Sequence, residues 1–254
     1  MADPRHVVDP EFELSPCAAC PVREWALCQP IPDVDLDIVD RFKTGHRNVA
    51  AGADFYDQGE VCNELFTVIE GWGFQYTLLE DGRRQITRVI LPGDFVGYQP
   101  DLNAPAAHSA QALTDMNLCV FPRDNILGLF REHPELAVRM TWLLARNEGR
   151  SQEWMTNIGR RSARERVSHF LLELYYRVRL RDPEPMGSSI PLPLTQEHIG
   201  DALGLTSVHV NRTLRELREE NLLVLSNRTL QILDPDGLAE VAGFEPETVE
   251  RLQP

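Results

Sequence analysis

Residues 194–214, Leu194-Thr195-Gln196-Glu197-His198-Ile199-Gly200-Asp201-Ala202-Leu203-Gly204-Leu205-Thr206-Ser207-Val208-His209-Val210-Asn211-Arg212-Thr213-Leu214, narrow the possible folds more than any other stretch of this chain. Thr195 and Thr206 each stand where a helix N-cap would satisfy orphan backbone N–H groups. Gly204 falls between them, where the chain must turn sharply. Ile199, Leu203, Leu205, Val210 and Leu214 recur at helical spacing and would lock two helices together. Two short strands around Asn227-Arg228, within residues 222–233, then read as a wing. A helix pair of this kind places its second helix in a DNA major groove. The outward face of that helix would carry Ser207, Val208, His209, Asn211, Arg212 and Arg215. Arg212 suits a guanine, because its fork matches the O6 and N7 acceptors. Asn211 would address an adenine or a phosphate, and Arg215 and Arg218 suit phosphates.

A net charge of −14 over 254 residues looks unsuited to DNA, but the charge is uneven. Residues 160–228 hold 11 Arg against 9 Asp and Glu, a net of +2, which leaves −16 for the remainder. DNA responds to the field within a Debye length of about 8 Å, so charge permits DNA binding without demanding it. With 43% hydrophobic residues the chain can bury a sizeable core, and two domains are expected at this length. No apolar run approaches the roughly 20 residues of a membrane span, and the start, Met1-Ala-Asp-Pro-Arg-His, lacks an apolar signal segment. A cytoplasmic protein is the expectation.

The five cysteines fall as Cys17-Ala18-Ala19-Cys20, Cys28, Cys62 and Cys119. In a reducing cytosol, clustered thiols favour metal or redox chemistry over structural disulfides. Two thiolates three residues apart can hold one metal centre without strain, and Cys28 can fold back from a short loop. A fourth ligand would be Cys119 or Cys62. Cys119 lies just before Pro122 and a helical segment, so a ligand there would tie the N-terminal arm to the helix that follows. Cys62 reads as a free or partly buried thiol. Spacing alone does not separate an iron–sulfur cluster from zinc or from unligated thiols. A cysteine redox enzyme finds no support, since no Cys–His constellation is present and Cys17–Cys20 lacks a thioredoxin-like βαβ setting.

The intervening chain supplies the scaffold. Residues 1–30 read as a cysteine-bearing sensory arm, polar, Pro-broken, loosely structured and closed by Pro30-Ile31-Pro32. Residues 31–121 open with a short helix from Asp33 and continue as a β domain. There, residues 66–69, 73–79 and 85–91 read as strands and Asp81-Gly82 as a hairpin, which together predict a small antiparallel sandwich or barrel. Residues 122–159 turn helical, with one helix to about His133 and a second, opened by Pro134, running to about Ile158. Leu136, Met140, Leu143, Asn147, Trp154 and Ile158 form one stripe of the second helix. Ala137, Thr141, Leu144, Glu148, Ser151 and Met155 form another, which would face a partner chain with Leu144, Glu148, Ser151 and Met155 at the seam. Residues 160–234 hold a helix to about 180, a Pro- and Gly-rich loop over 181–189, the helix pair and the wing. A short helix near 237–242 and an acidic tail fill 235–254. The fold class is α+β.

In this order of elements the chain resembles the Crp/Fnr family of bacterial transcription regulators, from about Cys17 to Leu233. The family has a cyclic-nucleotide-binding-like β-roll, matched by Gly93-Asp94-Phe95-Val96-Gly97, then a long dimerisation helix and a winged helix-turn-helix. Cys17, Cys20 and Cys28 resemble the Fnr branch, whose members bind an oxygen-labile four-iron cluster, and the spacing of Cys20 and Cys28 is similar to one of those found in it. That branch places its fourth ligand just before a proline-led helix, which here falls on Cys119 in the stretch ending Val120-Phe121-Pro122. The resemblance implies a [4Fe-4S] cluster on Cys17, Cys20, Cys28 and Cys119, with oxygen, nitric oxide or redox change as the signal. It also implies a homodimer on double-stranded DNA of two-fold symmetry, RNA polymerase as a further partner, and no membrane. Two departures carry meaning. Cyclic-nucleotide members grip the phosphate with an Arg-Ser, whereas Ala107-His108-Ser109-Ala110 offers no such Arg, which argues against cyclic AMP. The Fnr recognition helix shows Glu-x-x-Ser-Arg. Here Val208-His209-Val210-Asn211-Arg212 keeps the Arg but puts Val208 where a cytosine amine would need an acceptor, so a different half-site is expected. The rival reading is a haem or small-ligand sensor of the same fold, with incidental cysteines.

Overall fold

Alternation of apolar side chains dictates how the first half of the chain folds. The computed structural model describes residues 16–99, 101, 104–181 and 188–246. It forms two units, residues 1–145 and 146–254. In the first, helix α1 (Leu36–Phe42) precedes strands β1 (Gly45–Val49), β2 (Asp54–Tyr56), β3 (Glu64–Glu70), β4 (Gly73–Leu78), β5 (Arg84–Ile90), β6 (Phe95–Val96), β7 (Ser109–Ala112) and β8 (Met116–Pro122). They make two four-stranded antiparallel sheets, ordered β1-β8-β3-β6 and β2-β7-β4-β5. One apolar cluster draws Phe66, Val68, Leu118 and Val120 from the first sheet and Phe55, Tyr56, Ala110 and Ile90 from the second, so the two form a sandwich.

The first sheet is buried on both faces. Residues of β8 alternate: Met116, Leu118 and Val120 point into the sandwich, while Cys119 and Phe121 point to a second cluster on the other face. That cluster gathers Cys17, Leu27 and Ile31, Leu36 and Val39 of α1, Ile126 and Leu129 of helix α2 (Ile126–Glu132), and Leu136, Met140 and Leu143 of helix α3 (Pro134–Arg160). The described part of the arm is therefore packed rather than loose, which corrects the sequence expectation. Cys17–Ala19 is a 3-10 turn, Val22, Ala26, Leu27 and Ile31 are buried, and Arg139 of α3 donates hydrogen bonds to the carbonyls of Trp25 and Ala26. Its polar composition hid a sparse apolar set that suffices to anchor it. Residues 1–15 of that arm, 182–187 of the expected loop and the tail from 247 lie outside the described residues.

The second unit holds helix α4 (Ala163–Arg179), strand β9 (Ile190–Pro191), helices α5 (Gln196–Leu203) and α6 (Ser207–Glu219), strands β10 (Leu223–Ser226) and β11 (Thr229–Ile232), and helix α7 (Pro235–Ala242). Ser162 and Glu165 close a capping box at the start of α4. The wing is a hairpin in which Asn227 and Arg228 both have positive φ, 50° and 58°, as a type I′ turn requires. Strand β9 adds a third strand against β11 that sequence alone did not suggest.

Candidate functional site

Four of the five thiols lie on one side of the first sheet. The alternation of β8 aims Cys119 toward the second cluster, across from Thr67 on β3 and His46 on β1. Cys17 opens the 3-10 turn, Cys20 caps it, and Cys28 packs against the same apolar cluster. A cavity of about 230 Å³ is lined by Cys17, Cys20, Lys43, His46 and Cys119, among others. Cys28 is not part of that lining. Cys62 belongs elsewhere: it packs against the sandwich core, and its thiol donates to the Glu64 carbonyl at 3.4 Å.

The electrostatics of this cavity are unusual. Burial pushes the Cys17 and Cys119 thiols up to about 12, with Lys43 the main opposing influence on each. Crowding by neighbouring atoms, with the nearby Cys119, Cys17 and Cys20, raises Cys28 as well, although part of its surface is exposed. Burial, followed by the Lys43 charge, depresses His46. Lys43 forms an ion pair with Asp40, and its Nζ stands 3.8 Å from Cys17 Sγ. The Asp40 carboxylate also accepts the Cys17 backbone N–H, at 3.3 Å to the nearer oxygen. Among the described residues no three His, Cys, Asp or Glu side chains are poised as a ready metal-ligand set. The donor chemistry nonetheless suits a soft metal centre. All the candidate ligands are sulfur, and the cavity exceeds the roughly 150 Å³ that accommodates a benzene-sized guest. A bound metal would supply the charge that ionises thiols held protonated by burial.

The second unit carries the candidate DNA-reading face. Thr195 caps α5 by accepting from His198 N–H, and Thr206 caps α6 by accepting from His209 N–H. Gly204 takes the left-handed conformation, φ 64°, that the turn between them needs. Val210, Thr213, Leu214 and Leu217 are buried, while Ser207, Val208, His209, Asn211, Arg212 and Arg215 are all exposed. The amphipathic period therefore puts the six sequence-selected residues on one open face. Arg212 and Arg215 approach Glu216 and Glu219 one turn along, at 3.9 and 3.7 Å. Exposed i,i+4 pairs are worth about 0.3–0.5 kcal/mol, less than the 1–3 kcal/mol of a bidentate base contact, so they would yield to DNA. Arg218 instead reaches the wing, donating to the Leu225 carbonyl at 3.4 Å.

Sequence reasoning passed over several residues that the geometry brings forward. Gln196 accepts a hydrogen bond from Asn211. Gly200 packs so closely on the turn that a Cβ there would lie 2.6 Å from the Leu205 carbonyl oxygen. Asp40 carried no sequence signal beyond a place in a short helix, and Lys43 carried none.

The cyclic nucleotide-binding domain family matches residues 46–133, and the Crp-like helix-turn-helix domain family matches residues 165–241. The transcriptional activatory protein AadR of Rhodopseudomonas palustris is 34% identical over 87% of this chain and 91% of its own length. The chain belongs to the Crp/Fnr family of transcription regulators. Another Crp/Fnr relative, the transcriptional activator protein FnrL of Cereibacter sphaeroides, is 30% identical over 91% of this chain and 93% of its own length. Among solved structures, FixK2 from Bradyrhizobium japonicum superposes with a TM-score of 0.71 at 27% identity, covering 78% of this chain and 96% of that one. The α+β architecture of β sandwich, long helix and winged helix-turn-helix is the Crp/Fnr fold. As a Crp/Fnr regulator the chain is a DNA-binding protein of a dimeric family and not an enzyme. Among the described residues no helix is long and apolar enough to cross a membrane.

Proposed function

We propose that this chain is a cytoplasmic transcription regulator whose DNA affinity follows the state of a [4Fe-4S] cluster bound by Cys17, Cys20, Cys28 and Cys119. Oxygen, or nitric oxide, would be its signal. One observation carries the reading: those four thiols, and not Cys62, gather on the sheet face that holds Leu136, Met140 and Leu143 of α3. When bound, the cluster supplies an oxidant-labile crosslink among the sulfurs.

The chain's own part is mechanical. Cys17 on the packed arm and Cys119 on β8 share an apolar cluster with the inward stripe of α3. Tying the arm to β8 fixes the packing beneath that helix, and so fixes how the outward stripe, with Leu144, Glu148, Ser151 and Met155 exposed, meets a second copy. A dimer then presents two α6 helices to half-sites about 34 Å apart on two-fold symmetric DNA. The names of two relatives, an activatory protein and an activator, support activation, with RNA polymerase as the partner.

Anaerobic purification with iron, sulfide and zinc analysis tests the proposal. About four irons and four sulfides per chain, a broad visible absorption and DNA binding that air abolishes are expected. Zinc alone, a Soret-dominated haem spectrum, or DNA binding indifferent to air would overturn it.

A further inference from the structure

Lysine is almost never fully buried unless paired, yet the Lys43 side chain is 2% exposed and lines the cavity shared by Cys17, Cys20 and Cys119. Its partner Asp40 stands one helical turn earlier, at the end of α1, and is 28% exposed. If neutralising Asp40 were the whole role of Lys43, the pair could sit in solvent at no desolvation cost. Instead the ammonium reaches inward to 3.8 Å from Cys17 Sγ, a distance suited to an N–H···S hydrogen bond. The Asp40 carboxylate grips both Lys43 and the Cys17 backbone N–H, so ammonium and thiol are held by one anchor.

We infer that Lys43, oriented by Asp40, is a positioning residue of the thiol site: it offsets the negative charge collected there and raises the reduction potential of the cluster. The inference rests on the cluster assignment proposed above. Four thiolates around a four-iron core leave a net negative charge in a partly buried site, and adding one electron makes it more negative. A fixed cation and an N–H···S bond stabilise the reduced form more than the oxidised one, so both raise the potential. Asp40 works in the opposite electrostatic sense while it supplies the geometry. Its charge lowers the potential, and its oxygens hold Lys43 and the Cys17 amide in place.

The test is a potentiometric titration of the anaerobic holoprotein with dithionite, which donates the single electron without breaking a cluster bond. It compares wild type with Lys43→Met, Lys43→Arg and Asp40→Asn. Lys43→Met should shift the midpoint potential downward, and Lys43→Arg should return it close to wild type. Asp40→Asn keeps an acceptor for the Cys17 N–H while removing the charge, and should shift the potential upward. An unmoved potential in Lys43→Met, or an equal downward shift in Lys43→Arg and Lys43→Met, would overturn the inference while leaving the cluster intact. If Lys43→Met fails to load, Lys43→Gln decides: a downward shift supports the role and an unchanged potential overturns it. A wild-type protein without iron and sulfide would instead overturn the cluster assignment, and this inference with it.

Discussion

Asn211 on the exposed face of α6 donates a 3.0 Å hydrogen bond to Gln196, the first residue of α5. The bond holds the amide of an exposed α6 residue, and it links α5 to α6. Gln196→Ala removes the partner without touching the buried face. A single neutral hydrogen bond is worth about 1 kcal/mol, so cognate affinity should fall about fivefold, with discrimination relaxed at the base pair that faces Asn211. Fluorescence anisotropy on a panel of single-base operator variants measures both. A uniform loss across the panel would show that Asn211 holds a phosphate.

Arg212 and Arg218 should behave differently although both are exposed arginines on α6. Arg212→Ala should cost about 1–3 kcal/mol at the cognate site and relax one position. Arg218, which braces the wing through the Leu225 carbonyl, should on substitution by Ala weaken all sequences alike. Comparing cognate with random DNA at one fixed salt concentration separates the two roles. Equal losses on both DNAs for Arg212→Ala would reduce it to a backbone contact.

The cysteines divide by location: Cys17, Cys20, Cys28 and Cys119 adjoin the outer face of the first sheet, and Cys62 adjoins the sandwich core. Cys17→Ser, Cys20→Ser, Cys28→Ser and Cys119→Ser should each abolish most anaerobic iron, because a hydroxyl is a poor substitute for thiolate toward iron. Cys62→Ser should retain it, since that side chain packs against the sandwich core. Iron analysis of the five variants is decisive, and iron lost from Cys62→Ser but kept by Cys119→Ser would reverse the assignment.

Much of this was legible in the residues, for reasons that differ by position. The caps Thr195 and Thr206, the turn at Gly204 and the open face of α6 follow from local hydrogen-bonding needs and a 3.6-residue period, which act within a few residues of chain. The wing turn was visible as a break between two apolar runs, though Asn-Arg is a weaker signature for two positive φ angles than Asn-Gly. The packed arm was not legible. Leu27 and Ile31 are too few to show a period, and their burial depends on α1, α2 and β8 arriving from far along the chain. Lys43 was hidden for the same reason: only tertiary structure brings its ammonium to Cys17.

Gly200 offers a test in which the sign itself is informative. In an ordinary helix interior, Gly→Ala stabilises by about 1 kcal/mol. Here the added Cβ would meet the Leu205 backbone carbonyl oxygen at 2.6 Å, within the turn that sets the angle of α6. Gly200→Ala should therefore destabilise by about 1–3 kcal/mol and reduce DNA affinity. Urea unfolding with anisotropy on the cognate site checks both, and a stabilised variant with full affinity would show that the turn can yield.

Glu148 lies in the outward stripe of α3 between Leu144, which is 40% exposed, and Met155, which is 64% exposed. Its carboxylate accepts a hydrogen bond from Gln152 at 3.1 Å, a neutral partner that leaves the charge in place. Across a two-fold axis this stripe would bring Glu148 near its own copy, and like charges in a partly desolvated seam repel. Such repulsion would make the free monomer the resting state and leave dimerisation to depend on how well α3 is braced from beneath. Glu148→Leu removes the repulsion and adds apolar area at about 25 cal/mol per Å² buried, so the variant should dimerise and bind DNA even without a cluster. Sedimentation of the cluster-free protein decides the matter. A cluster-free Glu148→Leu chain that stays monomeric would mean that Glu148 does not restrain the dimer, and that the coupling runs through another part of the stripe.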